Sequence, residues 1–196
     1  MIDITGIRNG TIKSLCGVNL AGADLAGANL NDADLSQTNL MGANLAGANL
    51  RGAIVRANLR GADLTGADLR GADFRNADLR GAILIDTNVA ESSFAGAFMM
   101  GAICPNLDFS GVDLRYADLR GANLTRVILQ SAELSNSNLS GADLSHADLE
   151  EANLNGAVLR GTNLTEANLL CAQIEDTQWH GVVLDGACLE GTALLG

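Results

Sequence analysis

The chain has 196 residues, a formal net charge of −11, an apolar fraction of 47%, only 3% aromatic residues and a single proline, Pro105. Such a composition predicts a core of small and aliphatic side chains in one uninterrupted stack with no linker. An acidic surface repels nucleic acid and anionic membranes and attracts basic protein patches.

Residues 1–12 fit no pattern seen later and are expected to lie across one end of the fold as an N-terminal cap. They lack the apolar run of a signal peptide or membrane span, so a soluble, cytoplasmic protein is expected. From residue 13 onward an apolar residue recurs every fifth position, at Leu20, Leu25, Leu30, Leu35, Leu40, Leu45, Leu50 and Val55. One residue is then missing, and the series resumes at Leu59 and continues to Leu194. We expect this slip at 55–59 to be absorbed in a tightened corner. Each centre is usually preceded by Ala-Asp or Ala-Asn, as in Ala23-Asp24-Leu25 and Ala28-Asn29-Leu30. A period of five is neither the 3.6 of a helix nor the 2 of a strand, so every unit must contain a turn. Gly commonly follows two places after the centre, where a type II turn needs positive φ. Repeats without that Gly are expected to use another turn.

The A(D/N)LXX motif, reiterated over residues 13–196, resembles the pentapeptide-repeat family. The resemblance implies an all-β fold, a right-handed quadrilateral β-helix of about nine 20-residue coils stacked at ~4.8 Å. Stepping by twenty supports that period: acids in the position before the centre almost never fall beside acids, Asp113 and Glu133 being the exception, and Phe74 falls beneath Phe94.

The charge is uneven. Residues 1–98 carry eight Lys/Arg and ten Asp/Glu, a balance of −2, whereas residues 99–196 carry four and thirteen, a balance of −9. Arg60, Arg80, Arg120 and Arg160 share one face at multiples of twenty. They form either a docking stripe for an acidic partner or a set of local charge balances against acids such as Asp78 and Asp118, and weak exposed ion pairs are common. Outward positions of consecutive coils hold Ile83, Ile85, Phe98, Met100, Ile103 and Pro105, where the repeat is otherwise polar. They read as a partner patch or as a local bulge whose side chains cover one another. The same stretch departs furthest from the motif, with Met99 and Cys104 as centres and Leu107 where Ala belongs.

No metal, cofactor or catalytic constellation is expected. Cys16, Cys104, Cys171 and Cys188 have no zinc or redox spacing and read as free thiols. His146 and His180 face outward on different coils, with no partner placed to make a triad, and no phosphate-binding loop is present. The leading expectation is a non-enzymatic rod presenting ladders of side chains to a protein partner. The alternative, implied by gyrase-protecting members of the family, is a DNA mimic that inhibits or protects a topoisomerase. An enzyme or metal-binding protein comes last. The final centres, Trp179, Leu184, Leu189 and Leu194, with Leu195 beside them, have no visible cap and predict a homodimer through C-terminal coils.

Overall fold

In the computed structural model, which describes residues 3–194, each five-residue unit is a short parallel bridge followed by a corner. The carbonyl of the central residue accepts a hydrogen bond from the amide three residues on, as from Ala28 to Leu25 at 3.0 Å and from Ala122 to Leu119 at 3.1 Å. This closes a β-turn. Its third residue has a left-handed φ, 65° at Gly27 and 61° at Gly121.

The expected change of turn where Gly is missing does not occur. Among the described residues, fifteen non-glycine residues take the same left-handed φ, including Asp32 at 55°, Tyr116 at 60° and His146 at 58°. The ladder explains why. In twelve of these fifteen the amide of this third residue also bonds to the next coil, as from Asp32 to the Arg51 carbonyl at 2.7 Å and from His146 to the Thr165 carbonyl at 2.8 Å; Asp86 and Glu91 keep the conformation without that bond. Holding an L-residue in this region costs roughly 1–2 kcal/mol, and leaving the turn would sacrifice bonds on both sides of it.

Four such units make a coil, and coils stack with the residue before each centre bridged to its counterpart twenty residues on, such as Asn19 to Asn39 and Phe98 to Asp118. The architecture is a β-solenoid with four faces. The missing residue is taken up between Val55 and Ala57, where the Ala57 amide bonds to the Val55 carbonyl at 2.8 Å in a three-residue turn. Bridges continue on either side as Ile54 to Asp73 and Asn39 to Asn58. Central and small residues together fill the interior, which is a single cluster. Phe74 and Phe94 stack there at 4.9 Å and 8°, and Phe109 meets Phe94 edge-on at 5.8 Å.

The two ends differ. Helix α1 (Ile4–Arg8) is capped by Asp3, which accepts from the Gly6 amide, and it buries Ile7. The Arg8 carbonyl receives the Asn29 amide at 2.8 Å, the Arg8 guanidinium reaches the Ala26 carbonyl at 2.8 Å, and the Lys13 ammonium reaches the Asn31 carbonyl. One backbone donor and two backbone acceptors of the first coil are thereby satisfied. At the far end, Trp179, Leu184 and Leu189 are only half-buried and Leu194 is 43% exposed. Leu195 lies outside the described residues.

One stretch of the ladder is open. Among the described residues, no bridge joins Asn88 to Asp108, although each is bridged on its other side, to Asp68 and Ile128. The amides of Asp86, Val89, Glu91 and Asp108 make none of the inter-coil backbone bonds that their counterparts make. Leu107 accounts for the gap. It is buried where Ala28, Ala48, Ala67 and Ala147 sit in the same column, beneath Thr87, and its bulk wedges the two coils apart. The resulting groove of about 440 Å³ is lined by Thr87, Asn88, Val89, Ala90, Asp108 and Ser110.

Candidate interaction surface

The residue before each centre faces outward, and its chemistry follows from a backbone need. The amide two residues further on lies at the turn and has no ladder partner, so an Asp or Asn side chain accepts from it. Asp24 takes the Ala26 amide at 3.2 Å, Asn44 that of Ala46 at 3.1 Å, and Asp63 that of Thr65 at 2.9 Å. Between coils, Asn donates to the carboxylate or amide oxygen stacked next to it: Asn163 to Asp143 and Asn168 to Asp148 at 3.0 Å, Asn39 to Asn19 at 3.0 Å. Acids thus alternate with amides because a second carboxylate could not donate. Beside Glu133, its bridged neighbours are accommodated: Asn153 donates to it at 2.9 Å, and Asp113 is engaged by Arg115 at 2.8 Å.

Where Arg follows two residues after Asp, it closes on that Asp in its own repeat. Asp68–Arg70, Asp73–Arg75, Asp78–Arg80, Asp113–Arg115 and Asp118–Arg120 all pair this way, and Arg56 at the slip reaches Asp73 as well. The bonds from these arginine side chains hold the five carboxyls below their usual range. Of the four arginines in the twenty-residue stripe, Arg80 and Arg120 are therefore engaged, and Arg160 donates to Gln178 at 2.7 Å. For Arg60 the structure shows its backbone amide bonded to Asn58 at 3.2 Å.

At Ile83, Phe98 and Ile103 the outward ladder turns apolar. Pro105 occupies the turn position whose amide Ile103 could not accept, and proline has no amide to leave unpaired. Phe98, Met100 and Ile103 are 47%, 40% and 37% exposed, with Ile83, Ile85 and Pro105 half-buried. The patch bends over the corner at Gly81 and Gly101, where an added Cβ would meet nothing within 4 Å. No bulge lifts it, since Ile83–Ile103 and Phe98–Asp118 remain bridged. The open seam of the ladder begins immediately beyond Ile85 and Pro105.

Sequence reasoning missed that seam and its groove, although the Leu107 departure marked the place. It also missed that the corner of Gly22, Gly42, Gly61, Gly81, Gly101, Gly121, Gly141, Gly161 and Gly181 is glycine throughout, while the other three corners carry non-glycine residues at the same φ. Stepping the sequence by twenty would have found it. Elsewhere, Cys16, Cys171 and Cys188 are exposed free thiols, and Cys104 is buried with its thiol pushed up to about 12 by burial. His146 lies 3.0 Å from Glu166. Among the described residues no cluster of His, Cys, Asp or Glu is arranged to hold a metal, and no helix is long and apolar enough to cross a membrane.

The family description "Pentapeptide repeats" matches residues 19–56, 57–96, 108–145 and 142–178, in eight copies. Residues 97–107, which hold four of the six residues of the apolar patch and the wedge Leu107, fall between the matches. Among solved structures, HetL, a pentapeptide repeat protein involved in heterocyst differentiation regulation from the cyanobacterium Nostoc sp. strain PCC 7120, is 32% identical over 91% of this chain and 84% of its own, with a TM-score of 0.78. Rfr23 from the cyanobacterium Cyanothece 51142 is 25% identical over 66% of this chain and 89% of its own, with a TM-score of 0.44. QnrB1, a plasmid-mediated fluoroquinolone resistance protein, is 20% identical over 90% and 89%, with a TM-score of 0.48. No curated protein matches the chain.

Proposed function

This chain belongs to the pentapeptide-repeat family, and on that premise we propose that it works as a non-enzymatic, cytoplasmic binding rod whose contact with a protein partner centres on Phe98, Met100 and Ile103. The observation that carries the reading is the apolar turn taken by the outward ladder at these residues. The outward positions bridged to Phe98 and to the Ile83–Ile103 pair on the adjoining coils are Asp78, Asp118, Asp63 and Asn123. Ile54, Ile128, Val158 and Val183 are apolar singly, each bridged to polar residues, and it is contiguous exposed apolar patches that mark interfaces. The likeness to HetL, a protein involved in regulating differentiation, supports a regulatory contact over catalysis. The same reading takes the winding as right-handed and the rod as about nine coils, roughly 40–45 Å long.

The test is affinity capture with the intact protein and with two variants, Phe98→Asp and, on another face, Gln130→Asp. A specific partner identified by mass spectrometry should be lost from the first and kept by the second. Equal capture by both would overturn the placement.

The DNA-mimic alternative gains nothing from five of the Asp residues that could imitate phosphates, because these are neutralised by their own arginines. The acids Asp143, Asp148, Glu150 and Glu151 would have to carry it. On the binding-rod reading, gyrase supercoiling is unaffected by micromolar protein with or without a fluoroquinolone. Inhibition that is weakened by reversing those four charges would favour mimicry instead.

The half-buried Trp179, Leu184 and Leu189 and the exposed Leu194 also support self-association through the C-terminal coils. Two copies related by a two-fold axis would cover these side chains against each other. Light scattering should find a dimer that Leu194→Lys disperses. A monomer, or a dimer indifferent to that change, would contradict it.

A further inference from the structure

The charges around the apolar patch define what it can accept. On the side of Phe98 and Met100 the flanking charges are spent, since Asp78 pairs with Arg80 on one neighbouring coil and Asp118 with Arg120 on the other. Across the corner, beyond Ile83, Ile85, Ile103 and Pro105, three carboxylates stand without a salt bridge among the described residues: Asp63 on the preceding coil, Asp86 at the next corner and Asp108 at the mouth of the open seam. Asp63 and Asp108 accept only amide and hydroxyl donors from Thr65 and Ser110. Arg126, one coil beyond Asn106 at the same corner, is the one cation beside these three carboxylates among the described residues, so the surface is an apolar ridge with a net negative border on one side only.

Resting on the reading that this patch is the partner contact, we infer that its occupant is a segment of another protein carrying aromatic or aliphatic anchors flanked by Lys or Arg, laid across the corner so that its cations meet Asp63, Asp86 and Asp108. The apolar anchors cover Phe98, Met100 and Ile103, and the cations fix the direction in which the segment lies. A second copy of this chain is the wrong occupant. A two-fold contact through the patch would set the three carboxylates either against their equivalents, where like charges oppose association, or against the already paired Asp78–Arg80 and Asp118–Arg120, where no free set of cations meets them. Nucleic acid and anionic lipid are repelled by the same border. At Gly81 and Gly101 the ridge carries no side chain, so the backbone of the segment can approach closely. Space does not demand glycine at either position, since an added Cβ would meet nothing within 4 Å, and Asn106 at the next corner holds the same conformation at φ 57°, so a side chain here costs only the backbone strain of a left-handed residue.

Random peptides displayed on phage, selected on the intact protein and counter-selected on Phe98→Asp, test the inference. The enriched peptides should combine an aromatic or aliphatic residue with Lys or Arg. Their affinity should fall about tenfold or more in Phe98→Ala and in Gly101→Asn, whose melting temperature reports an intact fold. Asp63→Asn combined with Asp86→Asn should weaken them further at low salt than at high salt. Gly161→Asn, at the same corner but three coils away, should leave them unchanged. Peptides that depend on Phe98 but are acidic or neutral, or that ignore the Asp63 and Asp86 changes, overturn the basic occupant and leave the patch standing as a contact. Absence of any peptide that depends on Phe98 overturns both. A concentration-dependent dimer dispersed by Phe98→Asp would identify a second copy as the occupant and overturn the inference.

Discussion

Tyr116 and Gly121 hold one corner conformation and should respond to replacement in opposite directions. Both are the third residue of their turn, with φ of 60° and 61°. An L-residue there costs roughly 1–2 kcal/mol, which Gly avoids. Gly in turn gives the unfolded chain extra freedom, which offsets about 0.4–1 kcal/mol of that advantage. Tyr116 is 67% exposed, so its side chain contributes little packing. A Cβ at Gly121 would meet nothing within 4 Å, so the effect of adding one is confined to the backbone. Tyr116→Gly is therefore expected to stabilise the protein by about 0.5–1 kcal/mol, and Gly121→Ala to destabilise it by about as much. In a chain of this size each change moves the melting temperature by about 1–4 °C. Thermal and urea unfolding followed by far-UV circular dichroism would measure both. A destabilising Tyr116→Gly, or a neutral Gly121→Ala, would refute the claim that the non-glycine corners are held in strained left-handed turns by the ladder.

Phe94→Leu restores the usual centre but removes a stacked and an edge-on aromatic contact, so urea unfolding should show a loss of about 1–3 kcal/mol; a loss below about 0.5 kcal/mol would mean the ring geometry is incidental. Because arginine partners hold Asp68, Asp73, Asp78, Asp113 and Asp118 below their unfolded values, their contribution is complete above about pH 4–5 and is lost as pH falls through the lowered range. Stability should be level from neutral pH to about 5 and decline below about 4, less steeply in Asp118→Asn; a decline already near neutrality would contradict the pairing. In hydrogen exchange read residue by residue, the amides of Val89, Glu91 and Asp108 should exchange quickly beside slow amides such as Leu64, Leu119 and Leu144. Uniform protection would close the seam.

How much of this was legible in the sequence depended on which interactions repeat. The register, the slip after Val55 and the Phe74–Phe94 stack follow from a period of five folded into coils of twenty, and side chains at equal steps must meet. The corner conformation did not follow. Local propensity assigns left-handed φ to Gly, whereas at Tyr116, Arg126 and His146 the inter-coil bonds impose it on residues that disfavour it. Arg80 and Arg120 could be placed in a column, but whether each would close on the Asp of its own repeat or reach a neighbouring coil is decided by side-chain geometry that a period does not encode. Leu107 was visible as an intruder at an Ala position. That it opens the ladder on its own face, while Ile83–Ile103 stays paired on the next, is a packing outcome with no pattern in the sequence.

The central claim is that the partner meets the rod at one place rather than along its length. A photoreactive residue placed in turn at Arg60, Arg80, Met100, Arg120, Ser140 and Arg160 samples one face of the solenoid coil by coil in the protein's native extract. The account predicts cross-links to the partner concentrated at Met100 and fading within about one coil, ~4.8 Å, on either side. Equal yields along the column, or a maximum at Arg160 toward the C-terminal coils, would contradict it.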